Sequence, residues 1–221
     1  MEAVTQSEND EVLADTIMAM GTPALPQHFS RLVKRLAAFD NLIIIAYHGE
    51  NRPAVLYREY TDPVVYLPMD SQYLGGDYLL DPFYHEHLRG EVQGIRRLKD
   101  VAPDHFRHTH YYKNYYQQTT LLDEVAIFAN VTESDTITAC FGRDRSSGKP
   151  FNKRELKNLH QCETTLSSLL KKHWQDYRFE GVIKAAPAPL EERLREALNQ
   201  QHSIRLSPRQ AEVALFILRG H

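Results

Sequence analysis

Two apolar, β-branched stretches in this chain are each followed, after a short polar turn, by a second such stretch. This repeated strand–turn–strand arrangement constrains the fold more than any other feature. The first unit runs from residues 42–47 through a turn rich in Gly, Asn and Pro (48–53) into 54–60. The second joins 123–131 to 136–143 through Thr132-Glu133-Ser134-Asp135. Turns this short connect neighbouring antiparallel strands, because a parallel pair needs a crossover of about a dozen residues or more.

Helical periodicity fills much of the remainder. Residues 11–20 place Val12, Leu13, Ile17 and Met20 at helical spacing, and 28–39 place Phe29, Leu32, Val33, Leu36 and Ala37 likewise. Between the hairpins, Pro63, Pro68, Gly75 and Gly76 make 61–76 irregular. Residues 77–88 read as helical, with Pro82 in the first turns or interrupting them; 94–98 read as a short strand and 103–118 as a helix bearing four tyrosines. Asn152 is placed to cap a helix reaching about Tyr177, with Leu156, Leu159, Cys162, Leu166, Leu169 and Leu170 along one side. The near-heptad stripe Leu159, Cys162, Leu166, Leu169 suits either pairing of two subunits or packing on the chain's own sheet. The expected fold is α+β, an antiparallel sheet flanked by helices in the α/β/α manner of PAS- and GAF-like sensor domains.

A net charge of −3 gives the whole chain no attraction to polyanions. Two cysteines, Cys140 and Cys162, make no disulfide framework in 221 residues, and a reducing cytoplasm is the expected setting. The acidic start (1–10) is not a signal peptide, and the apolar run 42–46 is far too short to span a bilayer, so no membrane partner is expected. No G-x-S-x-G elbow occurs, and Arg145-Ser146-Ser147-Gly148-Lys149 lacks phosphate-loop spacing. His105, His108 and His110 offer a metal-site alternative, although a solvated helix start is the more ordinary use of such residues. The expectation is therefore no enzyme, no metal and no cofactor.

Near the C-terminus, Ser207 can cap the first free amides of a helix, Pro208 suits its first position, and Gln210 can reach back to complete a capping box. Ala211, Val213, Ala214, Phe216, Ile217 and Leu218 supply apolar content, and Gly220 a stop. From Leu206 to Gly220 the chain resembles the opening of the LuxR-type helix-turn-helix, L-[ST]-x-R-E-x-E-V followed by an apolar turn and a glycine. Gln210 stands where Glu is more common, and Glu212 matches the second acidic position. The resemblance covers residues 206–221. It implies a transcription regulator that binds DNA as a homodimer through the full-length helix-turn-helix, whose base-reading helix would lie beyond His221. The expected organisation is a ligand-sensing and dimerisation domain (1–177), a linker with a short helix (178–203) containing Ala185-Ala186-Pro187-Ala188-Pro189, and the start of an incomplete helix-turn-helix domain (204–221).

A sensor of this kind needs a pocket. Tyr66, Tyr73, Tyr78, Phe83 and Tyr84 cluster in sequence around Asp81, and Tyr111, Tyr112, Tyr115 and Tyr116 follow. Rings with polar tips suit a small polar ligand, as they suit an ordinary core. In LuxR-type autoinducer receptors an Asp-Pro pair in this region accepts a hydrogen bond from the ligand amide, and Asp81-Pro82 is similar. The family's Trp and Tyr, 13 and 9 residues earlier, are here Pro68 and Gln72, which disfavours an acyl-homoserine lactone. Asp81, Asp123 and Glu124 near aromatic rings would suit an amine, whereas Arg96-Arg97 would suit a carboxylate. The candidate ligand-binding residues are Tyr66, Tyr73, Tyr78, Asp81, Phe83, Tyr84, Arg96, Tyr115 and Glu124, for a small-molecule effector. The alternative is a sensor-like domain that binds no small molecule and serves dimerisation or protein docking.

Overall fold

The structure is a computed structural model that describes residues 6–90, 92–178 and 190–218. Helices α1 (Gln6–Met18) and α2 (Leu25–Leu36) precede the hairpin of β1 (Asn41–His48) and β2 (Ala54–Tyr60). Short helical turns at Pro63–Tyr66, Met69–Tyr73 and Asp77–Leu80 lead to α3 (Pro82–Leu88), β3 (Gly94–Arg97), α4 (Leu98–Val101) and α5 (His110–Asn114). The second hairpin, β4 (Leu121–Asn130) and β5 (Asp135–Asp144), is followed by α6 (Lys153–Gln161), α7 (Glu163–His173), α8 (Leu190–His202) and α9 (Pro208–Leu218).

The strands form one sheet in the order β2-β1-β5-β4-β3, every neighbouring pair antiparallel. The fold is thus α+β with helices on both faces, as the two hairpins and the helical periodicity require. The central strands are buried along almost their whole length, so their successive side chains feed two cores. Leu42, Ile44, Val125, Ile127, Ala139 and Phe141 point to the face covered by α1, α2, α6 and α7, among Phe29, Leu166 and Trp174. Ile43, Ile45, Tyr47, Ala126, Phe128 and Cys140 point to the opposite face, under the short turns and α3–α5. Leu194 of α8 and Leu215 of α9 belong to that second core.

Three local expectations are corrected. Residues 103–118 do not form one helix: a turn at Phe106–His108, the five-residue α5 and a turn at Tyr116–Thr119 replace it. The breaks let Tyr111, Tyr115 and Tyr116 all turn inward, which a single straight helix could not do for so many positions. The long helix after Asn152 also breaks, at Cys162. Its start matches expectation, with Asn152 and Glu155 forming a reciprocal capping box. The break brings Glu163 to the edge strand β3, where its carboxylate accepts from the Ile95 amide at 3.0 Å. Gly94, at φ +89°, leaves room for that carboxylate, since a Cβ there would overlap it. The stripe Leu159, Leu166, Leu169 is buried against the chain's own sheet, with Cys162 packed beside it, so it is not an open seam for a second subunit.

The helix start at the C-terminus has the expected chemistry. The Gln210 side chain accepts from the Ser207 amide at 2.8 Å, and the Gln210 amide donates to Ser207 Oγ at 3.3 Å. Gly220 lies outside the described residues.

Candidate ligand-binding cavity

On the second face of the sheet, β1, β4 and β5 form the floor of a small cavity and the irregular segments form its roof. Ile43, Ile45, Glu124 and Cys140 rise from the strands; Tyr66, Met69, Tyr73, Asp81, Phe83, Tyr111, Tyr115 and Tyr116 close over them. Its volume is about 30 Å³, room for a group the size of a water molecule.

The roof is held by a chain of hydroxyls. Tyr73 donates to Asp81 Oδ2 at 2.7 Å, and the hydroxyls of Tyr47 and Tyr73 lie 3.0 Å apart. Asp81 also caps α3, accepting from the Phe83 amide at 2.8 Å, so Pro82 sits at the first helical position where its missing N–H costs nothing. The Met69–Tyr73 turn is wound to i→i+5 bonds, Leu74 N–H to Met69 C=O at 2.9 Å and Tyr73 N–H to Pro68 C=O at 3.2 Å. That wide turn delivers Tyr73 to Asp81. The rings of Tyr73 and Tyr115, and of Tyr111 and Tyr115, sit with centroids 5.3 Å apart.

Two carboxyls face this space in different ways. Burial raises the pKa of Asp81 to about 6, against the opposing pull of the Tyr73 hydroxyl and the Phe83 amide. Glu124 has no such help: among the described residues its carboxyl accepts or donates no hydrogen bond, and burial first, then Asp81 and Asp123, push its pKa well above the carboxylate range. By solvent accessibility Glu124 is half-buried, and it lines the cavity. Burial likewise drives the Cys140 thiol and the phenols of Tyr47, Tyr66, Tyr73, Tyr111, Tyr115 and Tyr116 upward, keeping them protonated.

Of the nine residues singled out in the sequence, Tyr66, Tyr73, Asp81, Phe83, Tyr115 and Glu124 line the cavity. Tyr78 and Tyr84 lie behind it: the Tyr78 ring packs on Tyr73 (6.2 Å) and Tyr84 (5.1 Å), and Tyr84 packs on Tyr47 (5.5 Å). Arg96 is elsewhere, donating to the Ile95 carbonyl at 2.8 Å with Glu86 at 3.7 Å. Arg97 and Asp123 also leave the ligand question, because they pair with each other through Nε–Oδ1 at 2.8 Å and Nη2–Oδ2 at 2.5 Å. Ile43, Ile45, Met69, Tyr111, Tyr116 and Cys140 line the cavity without having been singled out. For Ile43 and Ile45 the signal was present: they alternate along β1 on the same face as Tyr47.

No group of three or more metal-ligating side chains is gathered among the described residues. His105 and His108 flank one turn with rings 6.3 Å apart, while His110 bonds Asn114 at 2.6 Å. No helix of the described residues is long and apolar enough to cross a membrane.

The fold is similar to that of several solved proteins. The LBD domain of VqsR from Pseudomonas aeruginosa superposes with a TM-score of 0.63 at 22% identity, over 74% of this chain and 94% of that one. The phytochrome photosensory core module of Stigmatella aurantiaca gives 0.51 at 14% identity, over 99% of this chain, which spans 46% of that larger one. SdiA of Escherichia coli gives 0.49 at 18% identity, over 96% and 83% of the two chains. At these identities the likeness is one of fold. No family model matches the sequence, and neither does any curated protein.

Proposed function

We propose that this chain is the sensor portion of a LuxR-type, ligand-responsive transcription regulator, joined to the first helix of its DNA-binding helix-turn-helix. The single observation that carries the reading is an aromatic cavity, at the centre of the sheet, that holds Asp81 and a Glu124 carboxyl with no hydrogen bond among the described residues. The fold shared with the VqsR LBD domain and the capping box at Ser207–Gln210 support it. In this reading residues 1–177 sense and dimerise, 178–203 link, and 204–221 begin the helix-turn-helix. The protein works in the cytoplasm as a homodimer, reading DNA through the full-length domain. It has no enzymatic activity. The effector is a small molecule of amine character, not a typical acyl-homoserine lactone, since Pro68 and Gln72 stand where those receptors carry Trp and Tyr.

Volume favours a second reading. A cavity of about 30 Å³ is close to a filled core, as expected of a dimerisation or docking module that binds no small molecule. Thermal unfolding of the chain against a panel of amines, acids, amides and acyl-homoserine lactones separates the two. A saturable rise in Tm with one chemical class, lost in Tyr115→Trp where the added ring fills the cavity, supports the sensor. No rise with any class, at concentrations up to the solubility limit, would leave the docking module as the better account.

A further inference from the structure

Resting on the sensor reading, we propose that Glu124 is the counter-ion for an ammonium group. The cavity has room for the ammonium head alone, so taking primary or secondary amines with an apolar or aromatic body, over neutral and anionic molecules, requires the roof tyrosines to move apart. The two carboxyls that act on Glu124, Asp81 and Asp123, are already engaged. Asp81 accepts from Tyr73 and from the Phe83 amide, and Asp123 accepts from both arms of Arg97 and from the Phe151 amide at 2.9 Å. Glu124 shares the inward face of β4 with Ala126 and Phe128, positions where an aliphatic side chain would serve packing better. A buried carboxyl without a partner costs free energy, and a cation of matching size removes that cost. Among the described residues no Lys or Arg lines the cavity, and its charged groups are Asp81 and Glu124, which would repel an anion. Tyr66, Tyr115 and Tyr116 line the same space, and aromatic rings attract cations over their faces.

Proton accounting follows from the same geometry. The groups facing Glu124 are Asp81, Cys140 and the tyrosine phenols, with Asp123 beside it on the strand. Burial holds the thiol and the phenols protonated, and Asp81 is ionised above about pH 6. Glu124 is therefore the group that gives up a proton when an ammonium arrives: its O–H bond breaks, the proton passes to buffer, and the carboxylate pairs with the cation.

Isothermal titration of the full chain near neutral pH, in two buffers of different ionisation enthalpy, tests this with butylamine and tyramine. Their N-acetyl derivatives and butyrate serve as neutral and anionic counterparts. The amines are expected to bind with release of about one proton per ligand. Glu124→Gln, isosteric with the protonated carboxyl and so folded, is expected to abolish that release and weaken amine binding about thirtyfold or more. Glu124→Leu is expected to do the same while raising Tm. Amines that bind Glu124→Gln as tightly as wild type, or bind without proton release, overturn the assignment. Binding of the N-acetyl forms or of butyrate in place of the amines also overturns it, yet leaves the sensor reading standing. Absence of heat from all the probes overturns it too, with the sensor reading then decided by the broader thermal panel.

Discussion

The hydroxyl of Tyr73 donates to the carboxylate of Asp81 at 2.7 Å, tying a wide helical turn to the residue that caps α3. Tyr73→Phe removes that donor and leaves a buried carboxylate with the Phe83 amide as its remaining partner. A loss of about 1–3 kcal/mol in unfolding free energy is expected by urea denaturation, with a further rise in the Asp81 pKa read by carboxyl NMR. An unchanged pKa would show that the bond contributes nothing to the site's electrostatics.

Asp81 also sets a pH dependence. Its pKa rises from 3.8 unfolded to about 6 folded, so the unfolded chain loses this proton first. Its contribution is fully present below pH 3.8 and is lost as pH rises through about 6, a change of about 3 kcal/mol. Measured as wild type minus Asp81→Asn, which cancels carboxylates with lowered pKa such as Asp70, stability should fall across that window. A flat difference would place Asp81 in a more polar setting than the one described.

The pair between Arg97 and Asp123 ties β3 to β4 and reaches the Phe151 amide ahead of α6. Both side chains are buried, at 14% and 6% exposure, so removing one strands the other. Asp123→Ala is expected to cost about 3–5 kcal/mol. Arg97→Met with Asp123→Leu should recover much of that, whereas a surface pair would show neither effect.

Arg193 of α8 bonds the Tyr78 hydroxyl and lies 5.7 Å from the centre of its ring, directly behind Tyr73. Arg193→Met is expected to raise hydrogen exchange in α8 and α9, while β1, β4 and β5 keep their protection. Equal exchange in both proteins would mean that apolar packing of Leu194, Leu198, Ala214 and Leu215 holds these helices to the second core.

Much of this architecture was legible in residue order. Apolar, β-branched runs and short turns placed all four hairpin strands, and the residue types at Asn152 and Ser207 announced two helix starts that the structure caps as written. Helix continuity was not legible, because the break at Cys162 answers to Glu163 and the Ile95 amide, 68 residues apart. The role of the tyrosines was partly legible: their clustering around Asp81 is in the sequence, while the offset of Tyr78 and Tyr84 from the cavity depends on how the irregular segment folds back.

Glu124 shows where the two levels divide. By itself the sequence determined that β4 would alternate and that Glu124 would share a face with Ala126 and Phe128, because side chains on a strand repeat every second residue. Only the tertiary structure decided that this face is the inner one at Glu124, that Asp123 beside it finds Arg97, and that no donor among the described residues reaches the Glu124 carboxyl. The physical reason is that local periodicity fixes direction, whereas desolvation and pairing depend on atoms brought from distant segments of the chain.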